Sequence, residues 1–154
     1  MKRKFLLDEN VIIAAETLQN EKQQHDRSSA DLVEAVVANC HSFVLNVELF
    51  AKYARRADAI RRDRRPSGGV LMMPLLKILM VDPEKCRVSL PQETLQIAGE
   101  DAIPEDDLFL VRLGVATDAI LVTTDDRLIK RLAAKVALHA MRPEEALPLA
   151  RHVN

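Results

Sequence analysis

At 154 residues and 48% hydrophobic content, the chain is long enough for one domain with a full core and too apolar to be disordered. A formal charge of −1 removes any global pull toward nucleic acid, so a basic surface has to be local. Aromatic residues make up only 3% and Trp is absent, which excludes readers that stack bases on aromatic platforms.

The opening MKRKFLLDENVII starts like a signal peptide, but Asp8, Glu9 and Asn10 interrupt the apolar run, so neither a secretory segment nor a membrane span is expected. Lys4 to Leu7 reads as a buried strand that presents Asp8 and Asn10 at its end, and Val11 to Leu18 as helix. Asn20 to Arg27 is polar and aperiodic, a surface loop or a frayed extension of the helix. Ser28 or Ser29 can cap the next helix, which has Leu32, Val33, Val36 and Val37 on one face. Phe43 to Leu45 is a second strand candidate, Asn46 a helix cap, and Glu48 a first-turn acid. The helix that follows turns Leu49, Phe50 and Tyr53 inward.

That helix becomes strongly basic. Lys52, Arg55, Arg56, Arg61, Arg62, Arg64 and Arg65 fill seven of fourteen positions before Pro66-Ser67-Gly68-Gly69 stops the segment. Asp58 can pair with Arg61 or Arg62, yet Asp58 and Asp63 leave most of this charge unbalanced. A nearly neutral protein that binds a polyanion must concentrate its cations, and this is the segment that does so. Lys52, Arg55, Arg56, Arg61 and Arg62 are therefore the expected contacts to a phosphate backbone.

Val70 to Val81, rich in Met, reads as a helix that is buried or covered by a partner. Arg87 to Leu90 is a short strand and Pro91 to Gly99 a short helix. Pro104 to Leu128 is the most informative stretch. Asp106 and Asp107 open a helix at its positive dipole end. Ile120 to Val122 is too short for a helix and leads through Thr123 and Thr124 to Asp125 and Asp126. Arg127 to Lys135 is helical, Val136 to Ala140 a last strand, and Pro143 to Leu149 a closing helix with Pro in its first turn. Strands alternating with helices imply a mostly parallel sheet of four to five strands between two helical layers, in one domain spanning residues 1–154.

In such a sheet the carboxyl ends share one edge, so Asp8, Glu48, Asp125 and the Asp106-Asp107 pair can converge. Two carboxylates about 4 Å apart repel by about 4 kcal/mol at an effective dielectric near 20, so the set calls for a cation. A hard divalent ion suits it. One or two such ions can generate hydroxide and clamp a phosphodiester. His25, His41, His139 and His152 have no ligand spacing, which argues against zinc. Cys40 and Cys86 lie far apart and are expected to be reduced thiols of a cytoplasmic protein.

The segments FLLDENVI, FVLNVELF, DDLFLVRLG and ILVTTDDRL, with the closing RPEEAL, make the chain resemble a PIN domain across almost its whole length. That resemblance implies a metal-dependent ribonuclease using magnesium or manganese, with the toxin of a toxin–antitoxin pair as one form. It implies that Asp8, Glu48 and Asp125 are the first, second and fourth metal-binding acids. The third is Asp107 if LVRLG aligns with the family's helix, and Asp106 by distance to the later TTD; the first alignment is preferred. Asn10, Thr123 and Thr124 match polar supporting positions. The expected partners are RNA, an antitoxin protein and a second copy of the chain, with no membrane. The insertion at Gln19 to Arg27 and the Met-rich segment depart from the family pattern. Two other readings stay open: a non-catalytic RNA-binding or protein-interaction module on the same fold, and a phospho-receiver domain, for which the first strand offers Asp8-Glu9 and no strand-end lysine follows.

Overall fold

The computed structural model describes residues 1–62, 68–88 and 95–152, without the side chains of Arg61 and Val88. Asp63, Arg64, Arg65, Pro66, Ser67, the far end of the expected third strand and residues 91–94 lie outside the described residues. Five parallel strands form one sheet in the order β3-β2-β1-β4-β5. They are β1 (Lys4–Leu7), β2 (Ser42–Leu45), β3 (Cys86–Val88), β4 (Ile120–Val122) and β5 (Ala140–Met141). Around them run α1 (Glu9–Thr17), α2 (Ser28–Ala38), α3 (Val47–Arg62), α4 (Met72–Leu79), α5 (Glu105–Thr117), α6 (Asp126–Lys135) and α7 (Pro143–Arg151). The result is the expected three-layer α/β/α arrangement.

The strands are continuous apolar runs because helices cover both faces of a parallel sheet. Phe5, Leu6 and Leu7 are buried, as are Phe43, Val44 and Leu45. Register puts Leu7 beside Val122 and Phe5 beside Phe43, so β1 is the central strand. α2 packs on α1 and α7, α3 on α1 and α4, α5 on β4, and α6 on β5. His41 fastens the amino-terminal side of the sheet. Its Nδ1 accepts the Arg3 N–H at 3.0 Å and its Nε2 lies 3.2 Å from the Ala150 carbonyl, a structural role for a buried imidazole.

Several local expectations change. Neither Ser28 nor Ser29 caps α2. Arg27 holds the cap position without a side-chain cap bond, and Asp26, one residue earlier, accepts from the Ser28 N–H at 2.8 Å, so Ser28 begins the helix. Residues 95–99 carry no helix; a short 3-10 turn covers Glu100–Ala102 instead. The last strand is confined to Ala140–Met141, because Val136 closes α6 by donating to the Leu132 carbonyl at 2.9 Å. The apolar run from Val70 to Val81 is buried on one side only. Met72, Met73, Leu76 and Leu79 are inside, while Ile78 is 67% and Val81 83% exposed.

Gly69 shows how closely α4 is drawn onto α1. Val70 N–H donates to the Ala15 carbonyl at 3.0 Å, and a Cβ on Gly69 would fall 1.9 Å from that same oxygen. Buried Glu16 then accepts the Met72 N–H at 2.9 Å, at the start of α4. Among the described residues, no helix is long and apolar enough to cross a membrane.

Candidate functional site

The sheet order reverses between β1 and β4, and in open α/β sheets the crevice beyond the carboxyl ends at such a point is where ligands bind. β1 ends at Leu7, leaving Asp8 as the first residue past it, with its N–H donating to Val122 of β4 at 2.9 Å. From α3, the buried Tyr53 hydroxyl donates to the Leu7 carbonyl and fixes the strand end from below.

Thr123 joins the two strand ends. Fully buried, it donates to Asp8 Oδ2 at 2.8 Å, and its oxygen accepts the Asp125 N–H at 3.1 Å. Asp125 in turn caps α6, with Oδ1 accepting from Arg127 N–H at 2.9 Å and Leu128 N–H at 3.2 Å. α5 arrives with Glu105, Asp106 and Asp107 in its first turn. A cleft of about 70 Å³ opens between these elements, lined by Asp8, Glu9, Lys52, Asp106, Asp107 and Phe109 above Leu49 and Leu110.

The charges there are in tension. Burial pushes the Asp8 carboxyl above its ordinary range, against the Thr123 hydrogen bond and the Glu9 backbone N–H, and the charges of Asp107 and Glu9 add to the rise. Burial also raises Asp107, and the charge of Asp125 raises it further. Lys52 opposes that rise, Asp106 adds to it, and Arg131 opposes it. Tyr53 is held well above the usual phenol range, by burial first and then by the charge of Asp8.

The structure thus gathers Asp8, Asp106 and Asp107 at the cleft, with Asp125 close enough for its charge to act on Asp107. Glu48 is not among the residues that line this cleft. It is exposed in the first turn of α3, and Lys52, one turn later, lines the cleft instead. Asn10 is exposed and also outside the lining, and Thr124 is half-buried, with its carbonyl accepting from Arg142 Nη1 at 3.1 Å. Of the basic helix, Arg55 and Arg62 are exposed, and Arg56 pairs with Glu9 at 3.2 Å, which brings that guanidinium to the rim. The Arg61 side chain lies outside the described residues.

Nothing in the sequence pointed to Tyr53 beneath Asp8, and Lys52 stood out only as part of the basic stripe. The signal that could have found both was spacing, since Leu49, Lys52 and Tyr53 fall three and four apart on one side of a helix.

Among the described residues, no three His, Cys, Asp or Glu side chains stand close enough to hold one ion between them. Magnesium does not require three, because one or two carboxylates suffice when waters and substrate phosphate complete the shell. Asp8 and Asp107 line one cleft and both are pushed toward the neutral form, so this pair fits such an ion.

Comparison with solved structures bears on the fold. A PilT N-terminus domain protein from the archaeon Sulfolobus solfataricus superposes with a TM-score of 0.54, across 98% of this chain and 96% of that one. The chain has a PIN-like fold. Identity to that neighbour is 12%, so the likeness is one of PIN-like architecture and not of chemistry. No family model matches the sequence, and no curated protein does.

Proposed function

We propose that this PIN-like domain is a metal-dependent endoribonuclease whose acidic cleft holds magnesium or manganese through Asp8 and Asp107, with Asp125 beside them. The observation that carries the reading is the shared cleft of Asp8, Asp106 and Asp107 at the point of strand reversal, two of them held above the ordinary carboxylate range. A divalent ion bound there would supply an activated water and charge neutralisation at the phosphodiester.

The chain's own residues do the rest. Thr123 holds Asp8 in one orientation, and Tyr53 fixes the strand end that carries it. Asp125 is tied down through Oδ1 as the α6 cap, and its charge acts on Asp107. Arg55, Arg56 and Arg62 extend outward from Lys52 along α3, a track for an RNA backbone that leaves the cleft. A toxin role, with a cognate antitoxin as partner, and action in the cytoplasm both belong to this proposal. A second reading, a non-catalytic RNA-binding module, draws on the exposed position of Glu48 and the lysine in the cleft.

Cleavage of a labelled RNA separates the two. Loss with chelator, recovery with magnesium or manganese, and loss in folded Asp8→Asn are expected of the nuclease. RNA binding without metal-dependent cleavage under any of these conditions would leave the binding module.

A further inference from the structure

Among the described side chains of α3, Lys52 is the cation that lines the acidic cleft, while Arg56 meets Glu9 at its rim. Lys52 shares the lining with Asp8, Glu9, Asp106 and Asp107, and its Nζ stands 4.0 Å from the centroid of the Phe109 ring, which also lines the cleft. An ammonium over an aromatic face is restrained by the ring quadrupole, so this charge is held in place and not swept through solvent. Arg55, Arg56 and Arg62 are exposed farther along the helix.

Glu48 and Lys52 are separated by one turn, the spacing that puts two residues on one face. Asn46 fixes the start of α3, its Oδ1 accepting the Leu49 N–H at 2.8 Å, and this leaves Glu48 exposed on the opening turn. The next residue on that face, at the depth of the carboxylates, is a cation.

We propose that Lys52 is a built-in cation of the cleft, occupying by its charge the place a second divalent ion would take, so that the site binds one ion and Lys52 sets how tightly. The proposal rests on the reading of the cleft as a divalent-ion site. Lys52 offsets part of the charge at Asp107, so Asp8, held by Thr123, and Asp107 together keep enough charge for one ion and not for two. If Lys52 Nζ and the ion stand about 8 Å apart in a water-like dielectric, the lysine charge weakens binding of the divalent ion about fivefold, and more at closer range.

The test is titration of the metal-free protein with manganese chloride at low ionic strength, followed by calorimetry and by the loss of free-manganese paramagnetic signal, with thermal melts confirming that each variant is folded. The wild type is expected to bind one ion. Lys52→Gln should bind it about fivefold tighter, and Lys52→Arg, which keeps the charge, should match the wild type. Lys52→Glu should bind tighter still and take up a second ion. Two ions in the wild type, or equal affinity in wild type and Lys52→Gln, would overturn the role of Lys52. A saturable site in Lys52→Gln with none in the wild type would support that role while removing metal-dependent function from the native protein. Absence of binding in every variant would remove both.

Discussion

Replacing Asp8 with Asn tests the electrostatic account of the cleft without reference to catalysis. The substitution keeps the shape and an acceptor for the Thr123 hydroxyl while removing one charge. The charge of Asp107 acts on the Asp8 carboxyl, and charges that do so stand about 4–6 Å away. At about 6 Å, two unit charges repel by about 3 kcal/mol at an effective dielectric of 20 and about 0.7 kcal/mol in water. Solvent reaches this cleft, so the lower end applies, and Asp8→Asn should stabilise the metal-free protein by about 1 kcal/mol at pH 7. For a chain of this size that is a rise in Tm of about 2–4 °C. The sign with pH follows from the raised carboxyl of Asp8 in the folded state. Below the ordinary value of 3.8, folded and unfolded chains both hold the proton and the contribution is fully present. As pH rises through the higher folded value, the native state gives up a proton it held more tightly, and stability is lost. The carboxamide of the variant cannot titrate, so its advantage should open between acid and neutral pH. Manganese at ten times its dissociation constant should then add about 1.4 kcal/mol to the wild type and nothing to the variant. Melts of both proteins from pH 3 to 8, with and without manganese, measure all of this. A variant advantage that is absent at pH 7, or equally large at pH 3, would refute the reasoning.

Asp107→Asn should abolish RNA cleavage while Asp106→Asn costs much less, because Asp107 is the more buried of the two and feels the charge of Asp125; the opposite ranking in a gel assay would assign the role to Asp106. Changing Arg55, Arg56 and Arg62 together to Gln should weaken RNA binding and flatten its log–log salt slope by about 0.7 for each phosphate no longer neutralised, read by fluorescence anisotropy across a salt series. An unchanged slope would move the RNA path off α3. Gly69→Ala should destabilise the fold by about 1–3 kcal/mol in urea unfolding, because its methyl would drive α4 from the Ala15 carbonyl and break the Val70 hydrogen bond.

Much of this architecture was legible because burial in a parallel sheet writes itself as short apolar runs ending in acids. Phe5-Leu6-Leu7 before Asp8, and Ile120-Leu121-Val122 before Thr123, needed only length and composition to read. Asn46 as the cap of α3 follows from the residue type alone. The depth each side chain reaches was not legible. Glu48 and Lys52 share a helix face by spacing, and the entry of α3 into the fold decides that the lysine lines the cleft and the glutamate does not. Capping misled at α2, since Asp26, two residues before Ser28, takes the Ser28 N–H and the serine falls inside the helix. The Met-rich run reads as uniformly apolar, yet a helix of eight residues pressed on one neighbouring layer can hide only one side.

Tyr53 has a practical consequence for anyone who handles this protein. It is the single tyrosine of a chain without tryptophan, so near-ultraviolet absorbance and intrinsic fluorescence come essentially from one ring. That ring is 2% exposed, and its hydroxyl is bound to the carbonyl of the residue just before Asp8. The native molecule therefore carries its own unlabelled reporter at the floor of the acidic crevice. Alkaline difference spectra give a direct measure of opening with no dye and no added tryptophan, because the phenol ionises at its ordinary value only once the floor has come apart.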